Sequence, residues 1–395
     1  MENKIFPRIH RNVWILGCVS LLTDISSKMI ESVLPLFLVS TLGANLLAVG
    51  LIEGIAESTA SVLKVFSGAL SDYLGERKKL AVAGYSLSTF IKPLFALATS
   101  PGWVLLARFG DRVGKGIRVA PRDALVADAT NKADLGAAYG LRQSLDTIGA
   151  FTGPLAAFGL MFLGGDNFRL VFWSALLPGI LAVLLLIFGV KEASNKVPLV
   201  QSNPLRWRTL SVLGKGYWQL VTVAFLFNLG NSSDAFLLLK AQQIGVDPSS
   251  IPLTIFIINL TYSLSAYPVG LLSDRIGRLG ILFGGLSLYA LIYLAFAFIN
   301  THLSVWILFG LYGLYQGMSK GIILALVANT VPSNLRGTAF GFINLVIGVA
   351  LLIASILAGI LWQSFGSKAT FITGSIFALF AILLLLIILI RERYS

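Results

Sequence analysis

Gly68-Ala-Leu-Ser-Asp72-Tyr-Leu-Gly75 and Gly270-Leu-Leu-Ser-Asp274-Arg-Ile-Gly277 are two versions of one octapeptide, set far apart in the chain. Each follows an apolar run and closes on glycine. Further matches keep the same order beyond them. Lys115-Gly116-Ile117 pairs with Lys320-Gly321-Ile322, Val126-Ala127-Asp128 with Val327-Ala328-Asn329, and Ala138-Tyr139-Gly140-Leu141 with Ala339-Phe340-Gly341-Phe342. Each match is short, but their shared order marks an internal duplication. The two halves differ in one spacing: eight residues separate Ile117 from Val126, and four separate Ile322 from Val327. The first half thus has about one extra helical turn at that point. It contains Arg118, Pro121, Arg122 and Asp123, and Pro121 is expected to bend the helix.

Composition says what kind of chain is duplicated. Of 395 residues, 56% are hydrophobic and 12% charged, where soluble domains carry roughly a quarter charged. Apolar runs of about 20 residues, enough to cross roughly 30 Å of hydrocarbon, recur from end to end. A soluble nucleic-acid binder, a secreted disulfide scaffold and a disordered tail are excluded. Cys18 is the single cysteine, so no intrachain disulfide is possible. His10 and His302 fall at span ends, and no Cys/His cluster has metal-ligand spacing. Lys4, Arg8 and Arg11 precede the first apolar run. That run is too long for a signal-peptide core and no small-residue cleavage site follows it, so a retained first helix is expected.

Twelve apolar segments fall at about 13–38, 46–70, 80–99, 103–128, 138–163, 168–190, 217–240, 251–272, 279–299, 303–328, 338–363 and 369–390. The fourth is weak by hydropathy, and charge alternation and the repeat both argue for it. The termini and even-numbered junctions hold 17 of the 30 basic residues; the odd-numbered junctions hold only Arg169 and Lys368; 11 lie within spans. Positive residues mark the cytoplasmic side, which places both termini there. The net charge of +12 is therefore mainly topological. The longest junction, 191–216, is rich in Pro, Ser, Asn and basic residues, as a linker is. The expected fold is an all-α polytopic membrane protein of twelve transmembrane helices. Two six-helix bundles, 1–190 and 217–395, would flank the cytoplasmic linker and be related by a pseudo-twofold axis, a known transporter plan.

Over its whole length the chain resembles the major facilitator superfamily. Gly68, Asp72, Gly75 and Arg77, followed by Lys78 and Lys79, are similar to that superfamily's motif between helices 2 and 3, with Tyr73 where a basic residue is usual. Gly270, Asp274, Arg275 and Gly277 form the second copy. The resemblance implies a cytoplasmic gate at these residues. In the fifth span Gly140, Gly149, Gly153 and Pro154 have the G-x8-G-x3-G-P spacing associated with antiporter members, although Ala157 and Phe158 replace the usual closing glycine pair. Physically, such small residues allow close helix approach. Thr23-Asp24-Ile-Ser-Ser-Lys28-Met-Ile30, Leu51-Ile-Glu53-Gly-Ile-Ala-Glu57 and 110–128 resemble a widespread bacterial branch. Its members tend to carry an acidic residue where Lys28 stands.

Twenty ionisable residues fall within spans. A charge at the bilayer centre costs about 2.5–3.5 kcal/mol on insertion scales, so these must pair or line a wet cavity. Lys64, Asp128, Arg142 and Lys240 lie near enough to span ends to reach an interface. Asp24, Lys28 and Glu31 share one helix face by their i, i+4, i+7 spacing, as do Glu53, Glu57, Ser61 and Lys64. Arg108, Asp111, Arg112, Lys115, Arg118 and Arg122 recur at threes and fours along the fourth span. The resemblance implies that helices 1, 4, 7 and 10 line the cavity. In the second half these carry Asn228, Asn231, Asp234, Tyr312, Tyr315, Gln316 and Lys320.

Asp24, Glu31, Glu53 and Glu57 are the candidates for proton coupling, and the other polar residues of these faces are candidates for substrate contact. The basic stripe also suits an anionic group, and a purely structural salt-bridge network is the plain alternative. Gly114-Lys115-Gly116 lacks the Ser or Thr and the preceding strand of a phosphate loop. No enzyme activity, cofactor or metal is expected. The expectation is a monomeric, multi-pass transporter of the bacterial inner (cytoplasmic) membrane that exports a small organic solute with protons by alternating access. Uptake of an anionic nutrient or siderophore-like metal chelate, a lipid or lysolipid flippase, and a transporter-like sensor remain as alternatives.

Overall fold

The computed structural model describes residues 10–74, 76–131, 134–190, 213–332 and 335–394, and nearly all of them are helical. In chain order the helices are α1 (Arg11–Leu36, extended by a π-turn at Phe37–Thr41), α2 (Leu46–Leu74), α3 (Arg77–Phe90), α4 (Pro93–Leu97) and α5 (Pro101–Asp128). Next come α6 (Leu135–Leu163), α7 (Phe168–Ser174) and α8 (Leu176–Gly189). After the linker follow α9 (Lys215–Gly230), α10 (Ala235–Ile244), α11 (Ile251–Ile276), α12 (Arg278–Phe298), α13 (His302–Thr330), α14 (Arg336–Phe365) and α15 (Ser367–Tyr394). Residues 191–212 of the expected linker lie outside the described residues.

Among the described residues, 11 helical segments are long and apolar enough to cross a membrane. The weak fourth segment is α5, one unbroken helix of 28 residues, about 42 Å long at 1.5 Å per residue. Its length suits a crossing; its charges keep it out of the apolar set. Pro121 lies buried inside α5, and the helix continues past it. The repeat partner α13 has 29 residues, so the turn gained after Lys115 is offset by a shorter stretch before it.

Three apolar segments are interrupted. α3 stops at Phe90 and α4 starts at Pro93, whose missing N–H and ring disfavour a continuous helix. α7 gives way to α8 at Ala175. α9 ends at Gly230, and Asn231–Asp234 leave the helix before α10 begins.

The described residues group into two compact units, within Met1–Val33 and Leu63–Asn203, and within Leu34–Val62 and Pro204–Ser395. α1 ends and α2 begins in the second unit. The core of the first includes Val13, Leu16, Tyr85, Val126, Ala182 and Leu186. That of the second includes Tyr217, Val221, Val327, Ala339 and Ile343, with the buried Tyr217 hydroxyl donating to the Ala339 carbonyl at 2.9 Å.

Glycines set the close crossings, since lipid supplies no hydrophobic drive between helices. In the second unit a Cβ on Gly50 would strike the Ser355 carbonyl, and one on Gly359 would lie 2.5 Å from the Leu46 carbonyl oxygen. The start of α2 thus packs backbone to backbone on α14. Outward faces keep large apolar side chains exposed, among them Phe162, Leu163, Phe188 and Leu264. In water such a surface would drive association; against lipid it is solvated.

Candidate functional site

In the first unit, two helix crossings bring the charged side chains together. On α6, a Cβ at Gly149 would stand 2.6 Å from the Leu21 carbonyl oxygen and 2.9 Å from Asp24 Cβ. One at Gly153 would stand 2.7 Å from the Ile25 carbonyl oxygen and 2.8 Å from Lys28 Cβ. The two glycines seat α6 directly on the charged turns of α1; Pro154 beside them is buried, and Gly140 makes no such approach. On α3, Gly84 meets the backbone of Gly114 and Arg118 in α5 in the same way.

Between α1 and α5 sits the densest cluster. Glu31 accepts from Lys28 Nζ at 2.7 Å, Arg112 Nη2 at 2.5 Å and Arg108 Nη1 at 3.3 Å. Arg112 and Arg108 are 2% and 4% exposed. Three cations share this one carboxylate, and the two guanidinium groups are buried, where Coulomb forces act with little screening.

A second cluster lies along α5 and α6. Arg122 donates to Asp123 Oδ1 at 3.0 Å and to Ser20 Oγ at 3.2 Å, and stands 4.0 Å from Asp146. Arg142 donates to Asp146 Oδ2 at 2.6 Å and lies 3.7 Å from Asp123. Arg142 and Lys240 are therefore buried rather than turned to an interface; Lys240 donates to Ser367 Oγ at 3.2 Å. Arg118 stands apart from both clusters, 4.8 Å over the Tyr85 ring and donating to Ser88 Oγ. Asp24 forms no direct ion pair among the described residues, but lies within Coulombic reach of Asp146, Lys115, Lys28 and Arg118. Half-buried Lys115 belongs to the same neighbourhood.

Sequence reasoning passed over two residues here. Lys92, at the α3–α4 break, is 1% exposed and donates to Ser26 Oγ, with the buried Asp111 within Coulombic reach. Asp146 joins the α5–α6 cluster. Both were visible as charges inside apolar runs, but nothing in their spacing showed which helices they would face.

The second unit holds Glu53, which is buried, and Glu57. At the α9–α10 break Asn231 Nδ2 donates to Asn228 Oδ1 at 3.5 Å, and Tyr312 Oη donates to Asp234 Oδ1 at 2.8 Å. Tyr289, Tyr293, Tyr312 and Tyr315 pack there as one aromatic cluster. Lys320 donates to Gln316 Oε1 at 2.9 Å and lies 5.4 Å over the Tyr262 ring.

Of the gate motif, Gly75 lies outside the described residues, and only the helical backbone of Gly68, Asp72 and Asp274 is described. Arg77, at the start of α3, pairs with Asp128 at the end of α5. Arg275 is exposed in the last turn of α11, beyond Gly270, and Gly277 ends that helix at φ +98°, a conformation open to glycine.

These features match known proteins. The family model of the Major Facilitator Superfamily matches residues 16–241 and 235–395. An uncharacterized MFS-type transporter of Methanocaldococcus jannaschii is 34% identical over 98% of this chain and 97% of its own length. A protein of Cupriavidus pinatubonensis named "Probable 4-methylmuconolactone transporter" is 28% identical over 85% of this chain and 80% of its own. Among solved structures, a crystal structure of a mutant of the nucleoside transporter NupG superposes with a TM-score of 0.81 at 14% identity, covering 95% of this chain and 98% of that one. The chain belongs to the Major Facilitator Superfamily: it is a membrane transporter of small molecules, not an enzyme.

Proposed function

We propose that this chain carries a small organic anion across the cytoplasmic membrane by alternating access, as a multi-pass monomer with both termini in the cytoplasm. One observation carries this reading: Glu31 is shared by Lys28, Arg108 and Arg112. A substrate carboxylate that takes the place of Glu31 on the two guanidinium groups gains charge-assisted, fork-shaped hydrogen bonds. The relative named for 4-methylmuconolactone, a lactone bearing a carboxylate, supports this substrate class.

The test is uptake and counterflow by purified protein in liposomes. The panel pairs 4-methylmuconolactone and aromatic carboxylates with their uncharged amides. Arg108→Gln and Arg112→Gln should each lower anion transport about ten- to a hundredfold, the equivalent of roughly 1.5–3 kcal/mol for a charged hydrogen bond. Wild-type protein that moves none of the carboxylates, or variants as fast as wild type, would sink the idea.

A second reading, proton-coupled export, draws support from Asp24. It lies beside the Gly149 crossing of the antiporter-type motif, with neither a hydrogen bond nor an ion pair among the described residues. On this reading Asp24→Asn removes the response of transport to an imposed pH gradient and leaves counterflow intact. A gradient response that survives the substitution excludes Asp24 as the proton carrier.

A further inference from the structure

We propose that the break in the seventh span is a binding site for a monovalent metal cation, with Na+ as its ion. The site lies wholly in the second unit, at the break in the apolar segment Lys215–Ile244, and does not rest on the organic-anion reading. Non-helical backbone at membrane depth persists only where it is buried in protein or lines a wet cavity, because its polar groups need partners. The break is held in place. A Cβ on Gly230 would lie 2.6 Å from the Gly374 carbonyl oxygen, so α15 crosses the end of α9 at backbone contact. Tyr289 Oη donates to the Gly230 carbonyl at 2.9 Å.

What remains unmatched there is oxygen. Asn231 Oδ1 makes no hydrogen bond among the described residues, and the hydroxyls of Ser232 and Tyr293 lie within reach of each other without a well-formed hydrogen bond. Ser232 and Tyr293 are 5% and 1% exposed. The Tyr293 hydroxyl adjoins Ser232 and lies within Coulombic reach of Asp234. Asp234 receives Tyr312 Oη and, among the described residues, forms no ion pair. The C-terminal end of α9 adds the partial negative charge of its last carbonyls. Discontinuous helices use such ends and unwound carbonyls to hold coupling ions in other transporter folds.

The inventory discriminates between ligands. A proton would occupy Asp234 and leave Asn231 Oδ1 unmatched and the Ser232–Tyr293 hydroxyl pair poorly matched. A divalent ion ordinarily recruits several carboxylates, and one is present. A substrate hydroxyl would satisfy one or two oxygens without neutralising the carboxylate. A monovalent cation does both.

The test is binding of 22Na+ to purified, substrate-free protein at constant ionic strength, with choline as the replacement. Binding should saturate, be displaced by unlabelled Na+ and be indifferent to choline. Asp234→Asn should abolish it, whereas Ser232→Ala and Tyr293→Phe should each weaken it about three- to tenfold, the range for one lost neutral hydrogen bond. If Asp234→Asn fails to fold, the two milder variants decide. No saturable binding to the wild type, or equal binding in the variants that fold, overturns the proposal. So does a Na+-insensitive protein whose thermal midpoint follows pH only while Asp234 is present, since that places a proton there.

Discussion

Lys92 stands one residue before Pro93, where α3 gives way to α4, with the Ser26 hydroxyl as its hydrogen-bonding partner. The ammonium is deep in the first unit, and the nearby Asp111 carboxylate, whose Oδ1 also lacks a hydrogen bond among the described residues, is its natural counter-charge. Removing one of two buried opposite charges leaves the other uncompensated, whereas removing both is far milder. Lys92→Met should therefore destabilise the purified protein by about 3 kcal/mol. The double variant Lys92→Met/Asp111→Asn should recover at least half of that, read as thermal midpoints in one detergent. Strict additivity of the two substitutions would show that the groups do not interact. The charge of Lys92 was legible in the sequence. Its importance was not, because burial depends on how the proline break turns it toward α1.

At the scale of helices, the glycine spacing in α6 told which face was smooth but not which helix would lie on it. The structure puts α1 there, and specifically its charged turns. A methyl group on Gly153 would sit 2.7 Å from the Ile25 carbonyl oxygen, closer than a real Cβ approaches, so α6 must move outward. Gly153→Ala is expected to cost about 1–3 kcal/mol, as overpacking does, while Gly140→Ala, with open space around it, stays near neutral. Thermal unfolding of the two variants side by side checks the contrast; equal losses would mean that the crossing is loose. The breaks within spans three and seven were not legible for a related reason. A window of about 19 residues averages over four non-helical residues, and Asn231–Asp234 sit between runs apolar enough to hide them.

For the whole molecule, the distribution of positive charge is the strongest statement the sequence makes. The 17-to-2 division of loop basic residues predicts sidedness that accessible positions can test. In a Cys18→Ser background, Asp166→Cys between α6 and α7 should react with an impermeant thiol reagent in intact cells, while Gly214→Cys should react only after permeabilisation. Both positions are exposed. The opposite pattern would invert the topology. Repeated apolar segments and a duplicated octapeptide sufficed to read the family. The partition of charges into a Glu31 group, an Arg122–Asp146 group and the α9–α10 break was not readable, because helical spacing assigns residues to faces and leaves the neighbours of each face unknown.

On the organic-anion reading proposed above, the grip of three cations on Glu31 also sets how strongly the transported anion can be held. A carboxylate built into α1 competes with free solute at an effective concentration on the order of millimolar or higher. It acts as a tethered inhibitor that returns whenever the solute leaves. Binding is then necessarily modest and release fast, which suits a carrier that must let go on the far side. Glu31→Gln should hold its anion more tightly and turn over more slowly. Its melting temperature should also climb more steeply with added anion, because a ligand that fills the vacated place favours the folded state.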